Sequence, residues 1–408
     1  MFVKSVSPRV ILNSRKEWTI EVVLETYEGK FRCSAPSGKS TGKSEVAAWN
    51  ESGVKKSFFL LKKFCKGLVH RNFIIKRVDD IKGLNKLMLK FETGFGKMGG
   101  NVWYALEGVF LKAAAADVGK ELWEFINDDV NSGLKPKMPM PIGNCIGGGL
   151  HSDKVHGKRP DFQEFLLIGK EKSFGKAVTK NLRAYEYAKS LLKKNEKAWR
   201  VLRNDEGAWR TSLCNEDVLE ILKRVGQKYD LRIGLDVASG SFFEKGYYRY
   251  KNKDLIRDKV DEADYMVRLV KKFGIFYLED GMEEEDFGGF KEILNVVLKN
   301  RAKTLVVGDD LTTTHLGRLQ RAVRGKAINA MIIKPNQVGS IMEVKRVVEY
   351  CKAKGIVMIF SHRSGETMDD VLADYCVGFG GQFLKAGIFG KERLIKLKRV
   401  MDIEKSLR

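Results

Sequence analysis

No run of eighteen consecutive apolar residues occurs in the 408-residue sequence, and a membrane-spanning helix needs about that length. The opening stretch, MFVKSVSPRVILNSRK, lacks an apolar core followed by a small-residue cleavage site, the pattern of a secretory leader. Neither secretion nor membrane insertion is expected. Cysteine is sparse: Cys33, Cys65, Cys145, Cys214, Cys351 and Cys376 lie far apart without a CxxC pair. That spacing argues against a disulfide framework and against a zinc site, and it fits a reducing, cytoplasmic setting.

What is present describes a folded chain. Hydrophobic residues make up 43% and charged residues 31%, a balance that supports buried cores and differs from disordered sequences. The length allows two or three domains. Lys plus Arg outnumber Asp plus Glu by 74 to 52, a net +22, which favours anionic partners through long-range attraction. The basic residues are spread along the chain, as in KKSFFLLKKFCKGLVHRNFIIKR and RLQRAVRGK. No zinc-finger or RNP-type signature accompanies them, so nucleic acid ranks as a secondary partner.

The first part of the chain reads as strands followed by helices. WTIEVVLETYEGKFRCSAP alternates apolar and polar residues around a turn at Tyr27-Glu28-Gly29-Lys30, and residues 101–126 carry an alanine-rich helical pattern. Three of the seven prolines fall between Lys135 and Pro141, an extended segment of the kind that separates domains. This places an α+β N-terminal domain at 1–135 and a second domain at 136–408.

In the second domain, short apolar runs alternate with amphipathic helices: LRIGLD, IFYLED, TLVVGDD, AMIIKP and IVMIFSH. Their polar ends, Asp236, Glu279, Asp309, Lys334 and His362, are spaced 25 to 43 residues apart, the length of a strand, loop and helix. The pattern predicts parallel strands in either a doubly wound sheet or a closed (β/α)8-type barrel. The roughly 270 remaining residues and the reactive side chain at nearly every strand end favour the barrel. Three acids converging on one mouth repel one another unless a cation lies among them. Oxygen ligands without cysteine select Mg²⁺, with Mn²⁺ as a near substitute. A lysine beside such a cation has its ammonium form disfavoured, so Lys334 is a candidate base, or alternatively an ion-pair partner of the acids.

Ten segments in order, SGKSTG (37–42), NCIGGGLH (144–151), QEF (163–165), NDEG (204–207), GLDVAS (234–239), LED (278–280), DDLT (309–312), KPNQVGS (334–340), SHRSGET (361–367) and GQFLKAG (381–387), resemble the enolase family over nearly the whole chain. The resemblance implies Mg²⁺-dependent dehydration of 2-phosphoglycerate to phosphoenolpyruvate, with two metal ions per site. It assigns Asp236, Glu279 and Asp309 to one ion and Ser40 to the other. Lys334 becomes the base that abstracts the proton, and Glu206 the acid, with Glu164 beside it. Lys385 is assigned to the substrate carboxylate, and Arg363 and Ser364 to the phosphate. His151, Gln163 and His362 line the site. A homodimer or higher homo-oligomer is also implied. Two other readings stay open: a related enzyme acting on another carboxylate, and a paralogue that binds nucleic acid or protein.

Two phosphate-loop look-alikes fail. GKSTGKS lacks the glycine that a P-loop requires at position 33 or 37, and GFGKMG does not follow an opening strand. The chain also departs from the usual family pattern. Lys39 stands in the loop that usually reads SGAST, NDEGAW replaces GDEGGF and so introduces Trp209, and Gly281 takes the place of a proline. NSRKEWT replaces DSRGNPT, and the segment between His151 and Glu164 is longer and more basic than usual.

Overall fold

The computed structural model describes residues 1–39, 42–152, 158–197, 199–300 and 303–407. β1 (Ser5–Leu12), β2 (Trp18–Glu25) and β3 (Lys30–Ser34) form an antiparallel sheet in that order. β1 contains Pro8 and is tolerated because it lies on an edge, where a missing N–H breaks no central ladder. The β2–β3 hairpin closes through Thr26 N–H donating to Gly29 O at 2.9 Å.

Helix Gly100–Asp117 packs against β2 and β3 and is buried on nearly all sides. The helical pattern of 101–126 is not one helix. It breaks after Asp117 at Gly119, whose φ is +69°, and a second helix, Leu122–Asn131, starts from a capping box formed by Glu121 and Glu124. The Glu121 and Glu124 carboxylates satisfy N–H groups that the first turn leaves open, which favours a fresh start over continuation.

The remaining strands are β4 (Met140–Gly147), β5 (Glu164–Ile168), β6 (Trp209–Arg210), β7 (Arg232–Asp236), β8 (Phe243–Glu244), β9 (Tyr247–Tyr250), β10 (Leu255–Arg257), β11 (Tyr277–Glu279), β12 (Leu305–Gly308), β13 (Ala330–Ile333), β14 (Val357–Ser361) and β15 (Phe383–Lys385). β8, β9 and β10 make a small separate meander. β4, β5, β7 and β11 to β15 form a closed barrel, sealed where β15 pairs with β4. The fold is thus an eight-stranded barrel preceded by a smaller α+β unit. One expectation is corrected: the barrel is not wholly parallel, because β5 runs antiparallel to both β4 and β7.

Alternation along the strands builds the barrel interior. Ile142, Leu166, Ile168, Tyr277, Val307, Ala330, Ile332, Ile359 and Phe383 form a buried apolar plug. Side chains two positions along a strand share a face. Stepping two residues from plug positions toward one mouth therefore reaches Asn144, Glu164, Glu279, Asp309, Lys334, Ser361 and Lys385. The reversed β5 obeys the same rule with its first residue, so Glu164 lies level with Asp236, and Asp236 with Glu279. Among the described residues no helix is long and apolar enough to cross a membrane.

Candidate active site

The mouth holds a small cavity of about 30 Å³ lined almost entirely by polar and charged groups. Its centre is an ammonium. Lys385 Nζ lies 2.7 Å from Glu279 Oε2, 3.0 Å from Asp236 Oδ2 and 3.2 Å from Glu164 Oε2. Burial disfavours the charged lysine, but these three carboxylates overcome that penalty and raise its pKa well above the usual lysine range. Gln163 Nε2 donates to Asp236 Oδ2 at 3.4 Å, and Tyr277, rising from the plug, donates its hydroxyl to Glu279 Oε2 at 2.6 Å.

Lys334 follows β13 and pairs with the Asp309 carboxylate. Here it takes the position of an ion-pair partner of the acids. Burial lowers the pKa, but Asp309 reverses the effect and takes it up to about 12. Asp309 is correspondingly held below the carboxylate range: burial raises it, and Lys334 and Lys385 more than offset that.

Glu164 and Glu206 form a second centre. Burial and the negative charge of Glu206 push Glu164 well above the carboxylate range. Burial also raises Glu206, but His151, His362 and a hydrogen bond from Glu164 bring it well below. The two carboxyl groups are thus pushed in opposite directions, Glu164 toward holding a proton and Glu206 toward releasing one. His151 Nδ1 is 3.6 Å from Glu206 Oε1, and His362 Nε2 is 3.7 Å from Glu206 Oε2. Burial lowers both imidazole pKa values, with the negative charge of Glu206 opposing it. Asn144 Nδ2 donates to Glu206 Oε2 at 3.1 Å.

Trp209 does not crowd this centre. Its indole is buried and stacks on Tyr185 at a centroid distance of 4.6 Å. Its Nε1 donates to Tyr185 O at 2.9 Å, and the Arg203 guanidinium sits 4.2 Å from the ring centroid. The larger ring thus supports the turn that carries Glu206 from below.

Arg363 and Ser364 follow β14. Arg363 donates through Nη2 to both Glu45 oxygens, at 3.1 and 3.0 Å, and through Nη1 to Asn336 Oδ1 at 3.0 Å. Ser364 Oγ accepts from Arg15 Nη1 at 2.8 Å and from Lys39 N–H at 2.9 Å. Ser40 lies outside the described residues, as does part of the basic segment between His151 and Glu164.

The site thus brings together Glu164, Glu206, Lys334, His362, His151, Gln163, Lys385, Asp236, Asp309, Arg363 and Ser364 around one cavity, with Glu279 on Lys385 below it. Sequence reasoning missed Glu45, Arg15 and Asp310. The only available signal was local: Glu45 closes the SGKSTGKSE segment, Arg15 lies in NSRKEWT, and Asp310 doubles the acid of DDLT.

The acids suit a hard cation. Glu279 Oε1 and Asp309 Oδ1 are buried without a hydrogen-bond partner, a costly state for carboxylate oxygens that a cation relieves. Oxygens of Asp280, Asp309 and Asp310 come within 4.8 Å of one another, as do ligand atoms of His151, Glu164 and Glu206. Asp236, Glu279 and Asp309 form no such close trio among the described residues; Asp236 and Glu279 share Lys385, and Asp309 pairs with Lys334.

A closed β/α barrel with acids, two lysines and an arginine gathered at the strand ends of one mouth defines a barrel enzyme that handles anions and protons. Comparison with known families supplies the particular one. Residues 3–126 match the model "Enolase, N-terminal domain" and residues 135–408 match "Enolase, C-terminal TIM barrel domain". The chain is 34% identical to the enolase of Thermoplasma acidophilum over 99% of its own length and 98% of the relative's. It is 32% identical to the enolase of Picrophilus torridus, covering 99% of each chain. It is also 32% identical to that of Methanosphaera stadtmanae, over 99% and 97%. The chain belongs to the enolase family, the carbon–oxygen lyases also called phosphopyruvate hydratases.

Proposed function

We propose that the protein catalyses the reversible dehydration of 2-phosphoglycerate to phosphoenolpyruvate with two Mg²⁺ ions per site, Mn²⁺ serving as a near substitute. The observation that carries this reading is the placement of Lys334 and the Glu164–Glu206 pair on the same cavity, with Arg363 at its rim. A base, an acid and a phosphate-binding fork are the three tools the reaction needs.

Asp236, Glu279 and Asp309 would hold one ion and Ser40 would serve the other. Bound there, the metal supplies positive charge for the second negative charge that builds on the substrate carboxylate. Lys385, freed from the acids, binds that carboxylate. Arg363 and Ser364 hold the phosphate, with Glu45 acting as the guanidinium's counter-ion in its absence. Lys334 takes the proton on the carbon beside the carboxylate once Asp309 no longer holds it as an ammonium. Hydroxide leaves poorly, so the Glu164–Glu206 pair delivers a proton to it, and His151 and His362 keep Glu206 receptive.

The division at 1–135 and 136–408 belongs to the same reading. It is supported by the first sheet and helices lying before the proline segment and by β4 beginning at Met140. A homodimer is supported by the exposed cross-strand pair Leu12 and Trp18, at 53% and 56% accessibility, and sedimentation at micromolar concentration tests it. The reaction is tested by following the conjugated product of 2-phosphoglycerate in the ultraviolet. Absorbance growth that needs Mg²⁺ and stops on chelation is the expected outcome. No growth, from a protein shown to be folded, would reject the reading.

A further inference from the structure

Lys39 lies on the cavity wall with its side chain 23% exposed. Its Nζ donates to Leu150 O at 2.6 Å and contacts Asp205 Oδ2 at 3.3 Å. Each partner immediately precedes a group of the proton-handling centre: Leu150 comes before His151, and Asp205 before Glu206. Those two groups approach to 3.6 Å. The lysine reaches from a fixed base, because its own N–H donates to Ser364 Oγ at 2.9 Å, just beyond β14.

We propose that Lys39 is a positioning residue that sets the distance between Glu206 and His151 by tying together the two segments that carry them. The turn around Glu206 is shaped locally, with the N–H groups of Glu206 and Ala208 both donating to Asn204 Oδ1 at 3.0 Å. Those bonds fix the curvature of 204–208 but not its distance from 149–152. Arg393 Nη2 holds Asp205 O at 3.3 Å from the opposite side and Asn144 Nδ2 holds Glu206 at 3.1 Å; Lys39 supplies the tie that reaches Leu150. A charge-assisted bond is stronger than a neutral one, and partial burial preserves part of that gain. The methyl group of an alanine could make neither contact. Small displacements of proton-transfer groups cost rate out of proportion to their size.

The proposal rests on the dehydratase reading for its kinetic consequence but not for its structural one, so two measurements separate them. Hydrogen exchange of the metal- and substrate-free protein should accelerate about tenfold in peptides covering 149–152 and 203–208 in Lys39→Met, and remain near the native rate in Lys39→Arg. In the 2-phosphoglycerate assay Lys39→Met should lower kcat about tenfold with KM changed less than twofold, Lys39→Arg should recover most of the rate, and Asp205→Asn added to Lys39→Met should cost little more. Unchanged exchange in both peptides would overturn the proposal whatever the substrate. Accelerated exchange with native kcat would overturn the positioning role. A native protein without dehydratase activity would overturn the function reading alone, leaving the exchange result to judge the tether.

Discussion

Lys385 Nζ and Glu279 Oε2 lie 2.7 Å apart at the base of the cavity, and that contact organises the charges around it. The same ammonium touches Asp236 and Glu164, so acids from three adjacent strands converge on one cation that offsets their mutual repulsion. The charges are paired within the protein: Lys385 with the acids, and Arg363 with Glu45.

Replacing that ammonium should therefore weaken the fold and sharpen the appetite for metal. Lys385→Met leaves buried carboxylates uncompensated, and the expected loss of stability in chemical denaturation is about 3–5 kcal/mol. Added Mn²⁺ should raise the variant's denaturation midpoint more than the native protein's. Equal shifts in both would show that Lys385 does not compete with a cation for these acids.

Lys334→Ala should reduce dehydration at least about a thousandfold while circular dichroism stays native, since general bases of this kind contribute about 10²- to 10⁴-fold. Retained turnover would reassign the base.

Glu206→Gln separates the two proton transfers. Overall turnover should drop about 10²- to 10⁴-fold, whereas exchange of the substrate's α-proton with deuterated solvent, the step proposed for Lys334, should persist. Simultaneous loss of both would place Glu206 upstream of proton abstraction.

Stability should fall as pH rises from the acid side, because of Glu107. Its carboxylate accepts from Ser340 Oγ at 3.0 Å and from Ile341 N–H, and burial nonetheless pushes its pKa up to about 7. The folded chain therefore holds a proton that the unfolded chain has already released. The contribution is complete below the unfolded value near 4.5 and is lost as pH climbs through about 7, on the order of 3 kcal/mol in all. Glu107→Gln should flatten the slope of the denaturation midpoint between about pH 5 and 7. An unchanged slope would place the titration elsewhere.

The strand-end positions were readable because each apolar run announces where its polar end will fall: Asp236 and Glu279 close their strands, and Asp309, Lys334 and His362 follow theirs directly. The reversal of β5 was also written in the sequence, since in QEFLLI the acid precedes the apolar run instead of following it. A pattern search that pairs runs with trailing acids passes over it. The break at Gly119 was hidden by alanines and leucines on either side that suit one helix as well as two. Glu45 was out of reach for a different reason. Its partner Arg363 is 318 residues away, and no local periodicity encodes a contact that forms only where the N-terminal segment meets the barrel mouth. The charge state of Lys334 likewise depends on how near Asp309 comes, which spacing along the chain does not fix.

Since β5 descends where its neighbours climb, Gly147 and Glu164 sit side by side at the same rim. Gly148 N–H donates to Gln163 O at 3.0 Å, so both ends of the connection are pinned together at the mouth, and the reversed stave delivers Glu164 to within 3.7 Å of His151 from the opposite end of the same loop.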